Sequence, residues 1–194
     1  MANIIILEGL SRTGKSTISK YFSEKYGYRN ISFKNKMPDY VENLPDFYHG
    51  IHVLFNQIYK EFPNETFILD RSFLSELVYS KFFNRKTYQS GSDVVSNLLL
   101  DNNFLLIYLS NNFKSYNERI PKDKIVFTEA EFNRQKDSFS WYFEHFKNND
   151  QSNKWNSRFL RLCTVDHSID KCIQVIEEKL IEKNIIKKQQ IKQK

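Results

Sequence analysis

The feature that most constrains the fold of this chain is an eight-residue segment near the N-terminus. Residues 9–16 read Gly-Leu-Ser-Arg-Thr-Gly-Lys-Ser and match the pattern G-x-x-x-x-G-K-[ST]. The segment follows an apolar run at residues 3–7, typical of a buried strand, and precedes apolar residues at helical spacing over 15–26. Because strand, glycine loop and helix in this order are the context that the pattern requires, the sequence predicts a phosphate-binding loop.

Each residue type in this loop suits phosphate chemistry. The glycines allow successive backbone N–H groups to turn toward a phosphate, and the following helix adds the positive end of its dipole. Lys15 is expected to reach the β- and γ-phosphates of ATP, and the Ser16 hydroxyl is expected to bind Mg²⁺. The predicted ATP-binding residues of the loop are Gly9, Ser11, Arg12, Thr13, Gly14, Lys15, Ser16 and Thr17.

Strand and helix patterns alternate along the rest of the chain. Apolar runs predict strands at residues 3–7, 28–33, 66–69, 104–109 and 159–165. Helical spacing of apolar residues predicts helices at residues 15–26, 47–62, 75–83, 92–100, 132–146 and 169–180. Since parallel neighbours need crossover connections, this alternation predicts an α/β fold with a parallel sheet covered on both faces.

A charged pair, Asp70-Arg71, stands where the third predicted strand ends. In open α/β sheets the carboxyl ends of the strands line the ligand crevice, so this pair is expected to face a site. Asp70 suits Mg²⁺ or one of its waters, and Arg71 suits a bidentate contact with phosphate. A structural ion pair at a strand end is the alternative. From these residues alone, the predicted catalytic residues are Lys15, Asp70 and Arg71, and the predicted metal ligands are Ser16 and Asp70.

Length and charge argue against several other classes of protein. The 194 residues suffice for one core, and we expect a single domain over residues 1–182 followed by a basic tail at 183–194. The tail holds five lysines and no acid, so without it the net charge falls from +6 to +1, which disfavours a nucleic-acid partner. The longest apolar runs are strand-sized, which disfavours a membrane partner, and the N-terminus is not typical of a signal peptide.

We therefore expect a cytoplasmic protein. The abundance of Asn, Lys, Ile, Phe and Tyr is typical of an AT-rich genome, such as that of a virus, a phage or a low-GC bacterium. For a viral or phage protein the expected location is the host cytoplasm.

The order of the motifs resembles that of thymidylate kinase and of the wider group of nucleotide and deoxynucleoside kinases similar to it. Residues 6–17, Ile-Leu-Glu-Gly-Leu-Ser-Arg-Thr-Gly-Lys-Ser-Thr, are similar to the P-loop of that family, including a basic residue at Arg12. Residues 70–79 follow the family's Asp-Arg-x-x-x-Ser-x-x-x-Tyr pattern. Residues 129–142 resemble the helix behind the family's lid, so the resemblance spans nearly the whole chain.

The resemblance implies a three-layer P-loop kinase fold, in which helices flank five parallel strands in the order 2-3-1-4-5. ATP with Mg²⁺ would lie over the loop, with Arg12 at the transferring phosphoryl group and Arg119 against the adenine. A short lid at about residues 111–130 would close over both nucleotides. Members of the family are often dimers, so the resemblance leaves a homodimer open.

The resemblance also implies where the acceptor nucleotide binds. Phe55 matches the phenylalanine that stacks on the acceptor base in the family. Residues 32–36 fall where the family has a Phe-Pro-x-Arg segment near the acceptor phosphate, which implicates Phe33 and Lys36.

Departures from the family pattern leave the base specificity open. Tyr59 stands where an arginine reads thymine, and Ser11 stands where an aspartate contacts the acceptor sugar. Gln57 could read a base edge, since an amide is both donor and acceptor. A deoxynucleotide other than dTMP, including one with a modified base, therefore fits the sequence. The predicted substrate-binding residues are Phe33, Lys36, Phe55, Gln57, Tyr59 and Arg71.

The sequence after the second predicted strand favours a phosphate acceptor over a hydroxyl. A hydroxyl must lose a proton as it attacks, so a nucleoside kinase profits from a carboxylate base at this point. Residues 33–36 read Phe-Lys-Asn-Lys, with two cations and no acid, which suits an anionic acceptor. Asp39 is close enough in sequence to keep a deoxynucleoside kinase as the alternative.

A second alternative is an NTPase switch or motor. Such proteins also place an acid at the end of a hydrophobic strand, as Asp70 does here. The short chain, the Asp-Arg pair and the basic segment after the fourth strand favour a kinase with small nucleotide substrates.

Overall fold

The computed structural model describes residues 2–32, 44–84, 103–119, 126–148 and 158–186. The strands are β1 (Asn3–Gly9), β2 (Arg29–Ser32), β3 (Thr66–Asp70), β4 (Asn103–Ser110) and β5 (Phe159–Cys163). The helices are α1 (Lys15–Tyr26), α2 (Leu44–Glu61), α3 (Phe73–Phe82), α4 (Phe113–Glu118), α5 (Glu129–Asn148) and α6 (Ile169–Glu182).

The five strands form one parallel sheet in the order β2-β3-β1-β4-β5, which confirms the predicted topology. β1 is the central strand, and its Ile5 lies between Ile68 of β3 and Leu105 of β4. Successive side chains of β1 point to opposite faces of the sheet. Ile4 and Ile6 pack in a core with residues of α3 and α5, whereas Ile5 packs in a core with residues of α1 and α6. The three layers of an α/β fold follow from this alternation.

The helix after the loop agrees with the sequence prediction at both ends. α1 spans residues 15–26, and Gly27 ends it in the left-handed conformation, with its N–H donating to the carbonyl of Ser23. α2 begins three residues before its predicted start and ends two residues before Pro63, as a proline requires. The helix predicted at 92–100 lies outside the described residues.

A short helix, α4, occupies part of the polar segment after β4, where the sequence predicted no helix. The side chain of Asn112 caps it by accepting from the N–H of Ser115 at 2.8 Å, and only Tyr116 among its residues is buried. A single buried position gives no periodic signal in the sequence. This helix matters for the site because it lies at the carboxyl edge of the sheet.

The chain packs on its core slightly beyond the end of α6. Ile186 is buried against the same core as α1 and α6, four residues after Glu182. The first residues of the predicted basic tail therefore belong to the folded body. Within the described parts of the chain, none of the helices combines the length and the apolarity that a membrane crossing demands.

Candidate active site

The phosphate-binding loop predicted at residues 9–16 lies at the carboxyl end of β1, in the middle of the sheet. Its first residue, Gly9, has a φ of 123°, and a Cβ there would overlap the carbonyl oxygen of Leu109 on β4. Neither the backbone angle nor this close approach admits a side chain. Gly9 is therefore needed for β1 to turn into the loop beside β4.

The loop ends at Gly14, which is the N-cap of α1 and has a φ of 85°. A Cβ at Gly14 would overlap the side chain of Ile169, so the loop packs closely on the start of α6. Between the two glycines, Arg12 also has a left-handed φ, of 64°. A tightly turned loop that leads directly into a helix N-terminus is the arrangement that proteins use to bind phosphate.

The side chain of Lys15 folds back over the loop and is buried. Its Nζ donates to the carbonyl oxygen of Gly9 and to the hydroxyl of Thr13, each at 3.0 Å, and to the carbonyl oxygen of Leu10. The loop therefore encloses one positive charge, where the pattern expects the lysine that reaches nucleotide phosphates.

Ser16 and Asp70, the two predicted metal ligands, lie next to each other. Ser16 Oγ donates to Asp70 Oδ2 at 2.8 Å, and Asp70 is only 1% exposed at the end of β3. Hydroxyl and carboxylate oxygens suit Mg²⁺, which usually takes its other ligands from water and substrate phosphates. In the described part of the chain, no group of three or more His, Cys, Asp or Glu side chains could hold a metal ion. The pair fits Mg²⁺ that arrives with a nucleotide.

Arg71 follows Asp70 with a left-handed φ of 77°, which is rare for a residue other than glycine. Its guanidinium donates to the carbonyl of Gly9 at 3.1 Å, to Ser75 Oγ at 3.1 Å and to Ser11 Oγ at 3.3 Å. The guanidinium also lies 5.2 Å from the centre of the Tyr79 ring. Arg71 therefore places a second positive charge directly beside the phosphate-binding loop.

Glu8 is a residue of this region to which the sequence analysis gave no role. It is fully buried at the end of β1 and accepts from the backbone N–H of Ser72 at 2.7 Å and of Ser75 at 3.2 Å, and from Ser75 Oγ at 2.5 Å. Burial outweighs these bonds and the nearby positive charge of Arg71, and raises the pKa of Glu8 to about 7. An acid that ends an otherwise apolar strand, immediately before the loop, is the sequence signal that could have identified it.

Arg12 and Arg119 connect the loop to the segments after β4 and β5. The Arg12 guanidinium lies 4.2 Å from the centre of the Tyr116 ring and donates to the Tyr116 carbonyl at 3.3 Å. Arg119 donates to the carbonyl of Arg12 at 3.1 Å and to that of Thr164 at 3.3 Å. Both arginines lie at the carboxyl edge of the sheet, near the phosphate-binding loop. Tyr116 and Thr164 hold them, which the sequence analysis did not anticipate.

The predicted acceptor residues on α2 divide into two groups. Phe55 stacks on Tyr59 with ring centres 6.1 Å apart, and Tyr59 packs edge-on against Phe67 of β3 at 4.9 Å. The Tyr59 side chain is 1% exposed, so its ring belongs to the core. Gln57 lies on the exposed side of the helix and donates to Glu61 Oε1 at 3.2 Å. The structure therefore brings Phe55 and Tyr59 together but does not bring Gln57 to them.

Some residues of the predicted acceptor site and lid lie outside the part of the chain that the structure describes. Phe33, Lys36 and Asp39 lie outside the described residues, as do residues 120–125 of the lid predicted at 111–130. The described flanks of that segment are α4 and the start of α5. Phe127, two residues before α5, donates its N–H to the hydroxyl of Tyr116 on α4 at 3.2 Å.

The fold is similar to that of several solved structures, although no family model and no curated protein matches the chain. The YorR protein of Bacillus subtilis, in complex with phosphorylated GDP, matches with a TM-score of 0.69 and 17% identity over 95% of this chain and 99% of its own. The deoxyadenosine kinase of M. mycoides matches with a TM-score of 0.58 and 19% identity, over 92% of this chain and 99% of its own.

The thymidylate kinase of Candida albicans matches with a TM-score of 0.58 and 18% identity, over 93% of this chain and 92% of its own. Likeness at this level of identity concerns the fold. The chain therefore has the three-layer fold of these P-loop proteins over nearly its whole length.

Proposed function

We propose that the protein is an ATP-dependent nucleoside monophosphate kinase that transfers the γ-phosphoryl group of ATP to a deoxynucleotide, dTMP or a related or modified one. The observation that carries this proposal is the convergence of two cations and an oxygen pair at one edge of the sheet. Lys15 and Arg71 both contact Gly9 of the loop, and Ser16 is bonded to Asp70 at 2.8 Å beside them. Phosphoryl transfer needs this combination, because catalysis is mostly positioning and stabilisation of phosphate charge.

The proposed mechanism gives each of these side chains a separate task. Lys15 binds the β- and γ-phosphates, and Arg12 stabilises the phosphoryl group as it transfers. Arg71 binds the acceptor and holds it in line with the γ-phosphate, which reduces the repulsion between the two anions and orients the attacking oxygen. Ser16 and Asp70 would hold Mg²⁺, which when bound would supply neutralisation of phosphate charge.

A phosphate acceptor is favoured by charge. A monophosphate is already anionic and needs cations rather than a base, and Arg71 supplies a fixed guanidinium beside the loop. The lysines at positions 34 and 36 add positive charge after β2. Phe55, stacked on Tyr59, is the aromatic face proposed for the acceptor base. In the family that the sequence resembles, an arginine that reads thymine stands at the position of Tyr59, so the nucleotide panel below identifies the base.

A deoxynucleoside kinase is the second candidate, because the fold is as similar to the deoxyadenosine kinase as to the thymidylate kinase, with TM-scores of 0.58 for both. In that case Asp39 would serve as the base that takes the proton of the 5′-hydroxyl. For either reaction we propose small nucleotide partners and action in the cytoplasm, and a homodimer is compatible with both.

The experiment that tests the proposal measures ADP formation from Mg-ATP with a panel of dNMPs, NMPs and the corresponding nucleosides. Lys15→Ala is the inactive variant, and Lys20→Ala is its matched control, because Lys20 is an exposed residue of the same helix paired only loosely with Glu24 at 3.7 Å. Turnover with monophosphates that is lost in Lys15→Ala and kept in Lys20→Ala supports the proposal. Turnover with nucleosides alone favours the second candidate, and ADP formation that no acceptor stimulates contradicts both.

A further inference from the structure

Glu8 occupies a position where the sheet otherwise buries apolar side chains. It follows Ile4 and Ile6 on the face of β1 that packs against α3 and α5. Although Glu8 lies on β1, its carboxylate caps the N-terminus of α3, because it accepts from the N–H groups of Ser72 and Ser75. Ser72 is the N-cap residue of α3 and makes no side-chain capping bond itself. Glu8 therefore takes over the task that an N-cap side chain usually performs.

The backbone of Arg71 is held in its left-handed conformation from both sides by β1. The N–H of Arg71 donates to the carbonyl of Leu7 at 3.0 Å, and the next N–H, that of Ser72, donates to Glu8 Oε1 at 2.7 Å. A non-glycine residue at φ of 77° costs free energy and persists only where its surroundings determine it. Two consecutive residues of β1 supply these surroundings.

The guanidinium of Arg71 is linked to Glu8 through one hydroxyl group. Ser75 Oγ is 2.5 Å from Glu8 Oε2 and 3.1 Å from Nη1 of Arg71. A hydroxyl has one hydrogen, so when Ser75 donates it to the carboxylate, a lone pair faces the arginine, which can only donate. The carboxylate thus sets the direction of the Ser75 hydroxyl, and that direction determines whether Arg71 has a third acceptor besides Gly9 and Ser11.

We propose that Glu8 is a positioning residue for Arg71, which acts through Ser75 and the N-terminus of α3 to hold the guanidinium beside the phosphate-binding loop. The inference rests on the proposed function in one respect, the assignment of the acceptor phosphate to Arg71. It predicts that Glu8 controls acceptor binding although it is fully buried and cannot itself touch a substrate.

Glu8→Gln separates this role from simple capping. The amide oxygen can still accept from the N–H groups of Ser72 and Ser75, so the cap of α3 is kept. The amide NH₂ then faces Ser75 Oγ and donates to it, so the hydroxyl hydrogen no longer points to position 8. The carboxylate that held this hydrogen away from Arg71 is gone, and a hydroxyl that turns its hydrogen toward the guanidinium cannot accept from it. The substitution therefore reverses the link while leaving the volume of the side chain nearly unchanged.

The first measurement is independent of activity. In ¹⁵N NMR spectra of the full chain, the guanidinium signals of Arg71 report the rate of rotation about its Cζ–Nη bonds. These signals are assigned by their disappearance in Arg71→Lys. Loss of one hydrogen bond, about 1 kcal/mol, is expected to speed this rotation about fivefold in Glu8→Gln and in Ser75→Ala. Ser80→Ala is the matched control, because Ser80 is a buried serine of α3 that bonds Glu76 instead. Unchanged rotation in either test variant would overturn the inference.

The second measurement is a split of kinetic constants. We expect the KM for the acceptor to rise about fivefold in Glu8→Gln and in Ser75→Ala, with the KM for ATP changed less than about twofold. The double variant should be no worse than the more severe single variant, since both break one link. An acceptor KM equal to that of Ser80→Ala, in a wild type that turns over, overturns the inference. A wild type without turnover refutes the proposed function instead, and the NMR measurement still decides the role of Glu8.

Should Glu8→Gln fail to fold, Ser75→Ala still tests the link through which Glu8 is proposed to act, and an unchanged rotation rate and acceptor KM in Ser75→Ala would overturn the inference. It removes the link to the guanidinium and leaves the carboxylate bonded to the two backbone N–H groups.

Discussion

Replacing Glu177 by alanine should destabilise the protein more than replacing an exposed residue of α6 such as Glu178. Its Oε1 accepts from the hydroxyl of Tyr21 at 2.8 Å, from the hydroxyl of Tyr26 at 2.7 Å and from Nζ of Lys25 at 2.8 Å, all on α1. The side chains of Lys25 and Glu177 are 25% and 14% exposed, so the ion pair is largely shielded from solvent. One carboxylate oxygen therefore joins the first helix to the last.

The size of the effect follows from the bonds that water cannot fully replace. A hydrogen bond to a charged group contributes about 1.5 kcal/mol or more, so the two tyrosine bonds give about 3 kcal/mol. The bond from Lys25 adds a smaller amount, since a quarter of the lysine side chain is exposed and its ammonium can be partly rehydrated. For a chain of this length, 3 kcal/mol corresponds to a decrease in Tm of about 6–12 °C.

The assay is urea unfolding of Glu177→Ala beside Glu178→Ala, the adjacent exposed position. Glu178 accepts only one bond described for it, from Gln174 at 3.0 Å, and its loss should cost about 0.5 kcal/mol or less. If the two variants lose the same free energy of unfolding, the reasoning is refuted.

The pH dependence gives a second check on Glu177. Burial alone would raise its pKa, but the bonds from Lys25 and the two tyrosines outweigh burial and lower the pKa below its usual value. A group whose folded pKa is depressed contributes stability above its unfolded pKa of 4.5 and loses it as the pH falls through the folded value. The difference in stability between wild type and Glu177→Ala should therefore be constant near neutrality and shrink below pH of about 4.5.

Three further predictions concern the site. In urea unfolding, Gly9→Ala should lower the free energy of unfolding by more than about 3 kcal/mol, because its Cβ overlaps the Leu109 carbonyl. Gly27→Ala has open space around its Cβ but a φ of 70°, so it should cost about 1 kcal/mol. Because the pKa of Glu8 is raised in the folded protein, the free energy of unfolding of wild type should fall by about 3 kcal/mol as the pH rises from 4.5 to above 7. The free energy of unfolding of Glu8→Gln should lack this dependence on pH, and an equal dependence would contradict the burial argument. Asp70→Asn should raise the Mg²⁺ concentration for half-maximal ADP formation about 10- to 100-fold, and an unchanged Mg²⁺ titration would remove Asp70 from the metal site.

Much of the fold could be predicted because its signals are local. The loop, α1 and the ends of the central strands are encoded by consecutive residues, and the alternation of strands and helices fixes the parallel sheet. The start of α2 and the existence of α4 were not predicted, since α4 depends on one buried ring, Tyr116, and on the cap from Asn112. Such elements are stabilised by contacts with distant residues, which a periodic pattern does not record.

The site shows the same division. Lys15, Ser16 and Asp70 follow from a motif and from the end of a strand, and the structure brings them together. The role of Glu8 depends on Ser75, which is 67 residues away in sequence, and so could not be read from spacing. Gln57 shows a different limit of residue type, because its amide suits base recognition while the structure places it on the exposed side of α2, bonded to Glu61. Residue type predicts which chemistry a side chain can perform, and tertiary packing determines where that side chain lies.

The central position of β1 has a consequence for synthesis of the protein on the ribosome. Asn3 pairs with Thr66, 63 residues later, and with Asn103, 100 residues later, so β1 leaves the ribosome before both of the strands that it pairs with. At about 5–20 residues per second, the apolar strand stays unpaired on one edge for about 5–20 s after it leaves the exit tunnel. During that interval its apolar side chains and unpaired edge are exposed to other chains, so slower translation between residues 66 and 103 should increase aggregation.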